Sequence, residues 1–346
     1  MDGCAWIYIS YASGLINIFR SLHPRRGGAR WTAGLIRSRP GNAFQGLKRK
    51  SLPPTPPMKL LSAAAASAVL LSLAPASHAV TAIGLSGNSL ISFDTEDPAT
   101  ILTTSTISGL NPGDTIVDID YRPSDNGLYA VSSAGALYSV DPLTGSASLN
   151  TTGSLGMVQD IDFNPVANRL RVFSEGNANY RITPGTGLTT SDGTLAYALD
   201  DTNSLASPSL VGAAYTNSFP GAATTVLYSL DSELNTLVMH EGGPQFSSLR
   251  TVAGLTIGGF LTLDIGTDVG FDILSSGGSN TAYLTNGNQF FQLDLSTGEA
   301  AILADIGGAD PLRPAITSLA LVPEPGSVLL GALSMGLLAL RRRRRN

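Results

Sequence analysis

A short strand ending in a turn recurs five times along the middle of this chain, and that repeat limits the possible folds more than any other feature. The copies are Leu90-Ile91-Ser92-Phe93-Asp94, Leu137-Tyr138-Ser139-Val140-Asp141, Asn179-Tyr180-Arg181-Ile182-Thr183, Leu227-Tyr228-Ser229-Leu230-Asp231 and Phe290-Phe291-Gln292-Leu293-Asp294. Their spacings of 47, 42, 48 and 63 residues are close to the length of one four-stranded propeller blade. Two copies run on into Asp-Pro-Leu-Thr-Gly at 141–145 and Asp-Leu-Ser-Thr-Gly at 294–298. In such turns the Asp caps the backbone through its own carboxylate and the Gly takes the positive φ. These aspartates therefore read as turn formers ahead of ligands.

A second strand pattern precedes each hairpin, at 116–121, 158–163, 210–215, 268–273 and 316–321. The last copy has no hairpin after it, and the first hairpin, at 81–106, has no such strand before it. Joining the two ends supplies the missing piece. The fold expected is all-β: a β-propeller of about five four-stranded blades, closed by pairing the C-terminal strand with the N-terminal blade, which leaves no long free sheet edge. Helical periodicity is scarce between residues 80 and 322, whereas short apolar-polar alternations bounded by Gly, Asn, Asp, Ser and Pro are frequent, as strands and turns require. The blade at 209–254 is less regular, since its Leu-Tyr-Ser-Leu-Asp suits a second strand as well as a third, and an extra segment follows at 255–267.

Both ends of the chain read as processing segments. Met58 and Lys59 open an export signal with an apolar run at 60–73 and the small-residue stretch Ala74-Pro75-Ala76-Ser77-His78-Ala79. The run is too short to span a membrane, which takes about 20 apolar residues, and small residues at Ser77 and Ala79 fit signal cleavage between Ala79 and Val80. Residues 58–79 are thus the expected signal peptide. Residues 1–57, with nine Lys or Arg and one acid, Asp2, read as an upstream extension translated in error, a basic arm being the alternative.

At the other end, Val322-Pro323-Glu324-Pro325-Gly326-Ser327 leads into an apolar run at 328–340 and arginines at 341–345. This 323–346 segment resembles the PEP-CTERM sorting signal, with Pro-Glu-Pro, a short hydrophobic helix and an arginine cluster in order. The resemblance implies a Gram-negative cell and an exosortase-type processing enzyme that recognises Pro323, Glu324 and Pro325. It also implies transient inner-membrane anchoring through 326–340, with the arginines holding the end in the cytoplasm.

Setting the ends aside changes the charge. The whole chain carries −5, but residues 80–322 hold six arginines and no lysine against 24 acidic side chains, a net −18. Such a body is repelled by nucleic acid and anionic lipid, and its charge favours divalent cations, cationic partners or simple colloidal repulsion. The only cysteine, Cys4, lies outside this region and His240 is its only histidine. That removes disulfides, structural zinc and a thiol nucleophile from consideration.

The stretches Asp162-Phe163-Asn164-Pro165-Val166-Ala167-Asn168-Arg169-Leu170-Arg171-Val172 and Ala213-Ala214-Tyr215-Thr216-Asn217, with the repeated Leu-Tyr-x-x-Asp hairpins, resemble a domain-of-unknown-function family of secreted bacterial proteins over nearly all of 80–322. The resemblance implies a propeller-like fold together with export and PEP-CTERM signals. It carries over no catalytic residue.

Aligned, the five inner strands place Asp118, Asp160, Gly212, Gly270 and Ser318 in one register and Asp120, Asp162, Ala214, Asp272 and Ala320 two residues further on. Strand side chains alternate, so both sets share one face. Two readings are open for Asp118, Asp120, Asp160, Asp162 and Asp272. They hold an axial Ca²⁺ or similar hard cation, or they tie blades together through neighbouring backbone and Arg122, Arg169 or Arg171. His240 reads as an exposed strand-end residue, Asp200-Asp201 as a solvated loop pair, and Tyr129, Tyr138, Tyr180, Tyr215 and Tyr228 as packing residues. No glycine loop cradles a phosphate.

The function expected is a non-enzymatic, exported acidic propeller at the cell surface, outer envelope or extracellular matrix, binding a cation, an exopolysaccharide or surface proteins. The alternative is a carbohydrate-active hydrolase or lyase using Asp pairs at the channel mouth. An open cleft with unpaired carboxylates favours the enzyme; a plugged channel favours the scaffold.

Overall fold

The computed structural model describes residues 80–308 and 315–322, apart from Ser154 and Gly277. The segments expected from the sequence to be an upstream extension (1–57), a signal peptide (58–79) and a sorting tail (323–346), with Ala79, Pro323, Glu324 and Pro325, lie outside these residues. Among the described residues no helix is long and apolar enough to cross a membrane, and the apolar run at 328–340 is not among them.

Five small sheets form the five blades of a propeller. Their innermost strands are Ser318–Leu321, Ile116–Arg122, Val158–Asn164, Leu210–Tyr215 and Val269–Ser276, each packed beside the next in a ring. The expected closure is present. Strand Ser318–Leu321 pairs antiparallel with the first strand, Thr81–Ser86, in the register Ala82 to Leu321 and Leu85 to Ser318. The N-terminal blade is therefore made of both ends of the propeller.

The irregular blade resolves as a one-strand shift. Leu227–Asp231 is the second strand of its sheet, next to the inner strand, whereas the other four hairpin copies lie in third strands. A fifth strand, Ala196–Tyr197, adds in parallel to the outer strand Ser248–Gly254. The segment at 255–267 holds a small hairpin, Thr256–Ile257 with Leu261–Thr262.

The turn aspartates cap as expected. Asp141 Oδ1 accepts from the Leu143 and Thr144 amides at 2.8 and 3.3 Å, and Asp294 Oδ1 from the Ser296 and Thr297 amides at 2.7 and 3.1 Å. The glycines closing these turns do more than bend the chain. At Gly145, φ is +73° and a Cβ would stand 2.2 Å from the Thr106 carbonyl oxygen; at Gly298, φ is +69° and a Cβ would stand 2.5 Å from the Gly254 carbonyl oxygen. Each turn thus docks on the outer strand of the preceding blade, with Ser108 N donating to Gly145 O and Thr256 N to Gly298 O, both at 2.9 Å.

Apolar burial is divided among the blade interfaces rather than gathered in one centre. Phe93 meets Phe290 edge to face at 5.2 Å between the first and last blades, and Tyr129 meets Phe163 at 5.1 Å between the second and third. Such pairs contribute about 0.5–1.5 kcal/mol beyond their buried area.

The interface between the third and fourth blades is different. Arg171, only 1% exposed, donates to Asp192 at 2.6 Å, Asn179 at 2.7 Å, Tyr215 Oη at 3.2 Å and the Pro244 carbonyl at 2.9 Å. Its guanidinium also faces the Phe246 ring at 5.6 Å. His240 belongs to the same region and is buried, 3% exposed, which corrects the expectation of an exposed strand end. One nitrogen, Nε2, lies 2.8 Å from Ser229 Oγ, Nδ1 lies 2.8 Å from the Phe246 carbonyl, and the ring stacks on Phe173. The cause is the returning segment at 242–247, which covers a strand end that would otherwise face water.

Burial, with the nearby Arg171 charge, lowers the His240 pKa from 6.5 to about 3. Between those values the unfolded chain binds the proton and the folded one does not, so this contribution to stability is complete above pH 6.5 and is lost as pH falls. Relative to His240→Gln, the wild type should lose about 2 kcal/mol of stability between pH 7.5 and pH 5, measured by urea unfolding of both proteins at each pH. An unchanged difference would show that the imidazole is not held neutral.

Candidate functional site

Closing a sheet array into a ring leaves one edge of each inner strand facing the axis. The amides on that edge have no ladder partner, and a buried amide without an acceptor costs on the order of 1–3 kcal/mol. The two aligned registers supply the acceptors. Asp118 Oδ1 accepts from the Ile119 amide of its own strand at 2.9 Å, and Oδ2 accepts from Ile161 of the next blade at 2.5 Å. Asp120 Oδ2 accepts from Phe163 at 2.7 Å. Asp272 does the same across the closure, accepting from Ile273 at 2.6 Å and from Leu321, in the closing strand, at 2.6 Å. Ser318 Oγ completes the circuit by accepting from Ile119 at 3.0 Å. Asp160 faces the Ala213 amide and Asp162 the Tyr215 amide of the fourth blade.

Where a register carries glycine, the neighbouring strand comes closer instead. A Cβ at Gly270 would lie 2.6 Å from Leu319 N and 2.7 Å from Leu319 Cβ, and one at Gly212 would lie 2.7 Å from Phe271 Cβ. The centre is consequently plugged.

All five expected aspartates are brought together and all are buried. Oxygens of Asp120, Asp162 and Asp272 lie within 4.8 Å of one another. Burial is the largest cause of their raised pKa values, reaching about 6 for Asp118 and about 7 for Asp272. Asp120, Asp160 and Asp162 stand well above the usual carboxylate range, since each also feels its neighbours' charge. The amide hydrogen bonds act in the opposite direction and are outweighed.

The expected arginine partners are not there. Arg122 pairs with Asp125 and donates to Asn168, Arg169 donates to Thr183, and Arg171 and Arg181 share Asp192. Arg122 and Arg171 do tie blades together, but through Asn168, Tyr215 and Pro244 rather than through the axial carboxylates. The register pattern revealed the axial aspartates; nothing in the spacing signals Asp192, which a bulged hairpin and the 242–247 segment bring onto Arg171.

Other candidates fall into structural places. Asp201 is buried and accepts from the Thr251 amide and hydroxyl, both at 2.8 Å, which corrects the expectation of a solvated pair; exposed Asp200 pairs with Arg250. The Ser229–His240 contact has the atoms of a nucleophile and its base, yet Ser229 is 0% exposed and the imidazole is held neutral. The Tyr138 hydroxyl donates to Asp114 and accepts from the Asn111 amide. Two open grooves of about 510 and 390 Å³ lie on the fifth and second blades at matching positions, lined respectively by Gln292, Asp294 and Glu299 and by Tyr129, Ser139 and Asp141.

Residues 89–320 match the family model described as Domain of unknown function (DUF4394), and the chain belongs to that family. No curated protein matches it. Among solved structures it is similar to a chain of a nidogen/laminin complex, at 12% identity and TM-score 0.45, covering 70% of this chain and 98% of that one. It is also similar to an auxiliary nutrient binding protein from Bacteroides thetaiotaomicron VPI-5482, at 13% identity and TM-score 0.36, covering 65% of this chain and 58% of that one. A structural genomics protein of unknown function from the same organism matches at 14% identity and TM-score 0.43, covering 72% and 66%.

The plugged axis makes a specific demand on Gly270, because the atoms it would strike are closing-strand backbone. Gly270→Ala should destabilise the protein by about 3 kcal/mol, the upper range for overpacking, seen as a lower urea midpoint with an unchanged slope. A variant as stable as the wild type would mean the inner ring has slack.

Proposed function

We propose that this family member is an exported, non-enzymatic acidic propeller that serves as a binding or structural module at the cell surface or in the extracellular matrix of a Gram-negative bacterium. The observation that carries this reading is how the axial carboxylates are used. A glycan hydrolase needs an acid and a second carboxylate facing an open cleft. Here the acids are buried and turned to edge amides, and the nearest cavity, beside Asp120 and Asp272, is only about 10 Å³. That is room for about one water-sized particle, far short of a sugar ring.

The address rests on sequence: the signal at 58–79 with cleavage between Ala79 and Val80, and a PEP-CTERM-like tail read by an exosortase-type enzyme at Pro323, Glu324 and Pro325. The net −18 of residues 80–322 disfavours nucleic acid as a partner and suits cationic surface proteins or cation-bridged acidic exopolysaccharide.

Expressed in a Gram-negative host that supplies an exosortase, the chain should yield an extracytoplasmic product starting at Val80 and ending near Pro323-Glu324-Pro325, read by intact-mass spectrometry. Recovery of a cytoplasmic product starting at Met1 would sink the address. The same material should bind components of an exopolysaccharide or surface-protein panel without releasing reducing ends. Release of new reducing ends would replace the scaffold with the hydrolase reading.

A further inference from the structure

We propose that the propeller axis binds one hard divalent cation of the calcium class through Asp120, Asp162 and Asp272, with Asp160 Oδ2 as an adjoining acceptor. The inference rests on the axis being a structural seam, as in the reading above, and names the ligand of that seam.

Geometry supplies the first support. The three carboxylates come from the second, third and fifth blades, and their oxygens lie within 4.8 Å of one another. Oxygens bound to one Ca²⁺ each lie about 2.3–2.6 Å from it, so any two are separated by no more than about twice that distance. The spacing suits a single shared ion. Carboxylates alone, with no imidazole or thiolate nearby, select a hard cation over zinc or copper.

The second support comes from outside the trio. Asp160 is 6% exposed and its Oδ2 is fully buried with no hydrogen-bond partner. It stands two residues before Asp162 on the same strand face, its carboxyl group shares a hydrogen bond with Asp118, and the charges of Asp118 and Asp120 act on it. A native fold rarely leaves a buried carboxylate oxygen unused, and an ion is one of the few explanations for it.

Charge supplies the third. Among the described residues every arginine is committed elsewhere, to Asp125, Thr183, Asp192, Asp200 or Glu241. Removing carboxylates from water without a counter-charge costs several kcal/mol each. Only protons or a metal ion can offset that here. The small cavity lined by Asp120, Asp272, Tyr121 and Ser218 lies beside two of the three ligands.

The proposed ion also acts on ring closure. Asp272 accepts from Leu321 in the closing strand, so holding Asp272 in place holds the last strand.

The test uses full-length protein purified without chelator. Elemental analysis should find about one calcium per chain. Chelation should lower the melting midpoint by about 5–10 °C, the shift expected for a site 100-fold above its dissociation constant in a body of this size, and added Ca²⁺ should restore it. Chelation should also speed amide exchange at residues 318–321. Asp162→Asn should abolish the Ca²⁺ response, while Asp141→Asn, in an exposed turn, should keep it. If Asp162→Asn does not fold, the wild-type arms decide the matter alone. Far less than one metal per chain together with no shift in millimolar Ca²⁺ would overturn the proposal and leave protons as the neutralising species. So would a response retained in folded Asp162→Asn. Either result leaves the surface-module reading intact, since that reading is tested by processing and binding.

Discussion

Everything in this protein depends on how five inner strand edges are satisfied once the ring shuts. A propeller escapes exposed outer edges by closing on itself, but closure moves the problem to the axis, where amides are buried beyond the reach of water. Short carboxylates at alternate positions answer it, each reaching an amide on the neighbouring inner strand. Aspartate suits this better than glutamate because its short side chain stays near its own backbone. Where the registers hold Gly212 and Gly270, the strands approach directly instead. The centre is thus held by two devices, polar bridges and close packing, and both act at the closure between the fifth blade and Ser318–Leu321.

The blade interfaces, away from the axis, are not alike. Between the first and second, second and third, and fifth and first blades the contact is apolar and aromatic. Between the third and fourth it contains a buried guanidinium, a neutral imidazole and a tyrosine hydroxyl. Buried ionic groups seldom add stability over a well-packed apolar equivalent. Their geometry is demanding, however, and here it fixes the position of the segment at 242–247.

Most of the fold was legible because two periodicities overlap in the sequence: a two-residue alternation within strands and a repeat of 42 to 63 residues between blades. The unmatched strand at 316–321 and the unmatched hairpin at 81–106 predicted closure, and the Leu-Tyr-Ser-Leu-Asp at 227–231 betrayed the shifted blade. The axial registers were readable for the same reason, since equivalent positions in a repeat must occupy equivalent places. What escaped was whatever depends on chain excursions outside the repeat. His240 ends a strand and looks exposed until the 242–247 segment folds over it. Asp192 lies 21 residues from Arg171 and meets it only across the sheet. The docking role of Gly145 and Gly298 hid behind an adequate local explanation, the turn itself.

The pairing of Thr81–Ser86 with Ser318–Leu321 has a mechanical consequence. Both ends of the propeller enter and leave through one sheet, and the departing end is its innermost strand. Tension applied to the chain beyond Leu321 would therefore be felt first at the keystone of the ring, not at its rim. A tether at that end would test the seam before any blade, so how long the ring survives pulling should be decided by the few groups that grip residues 318–321.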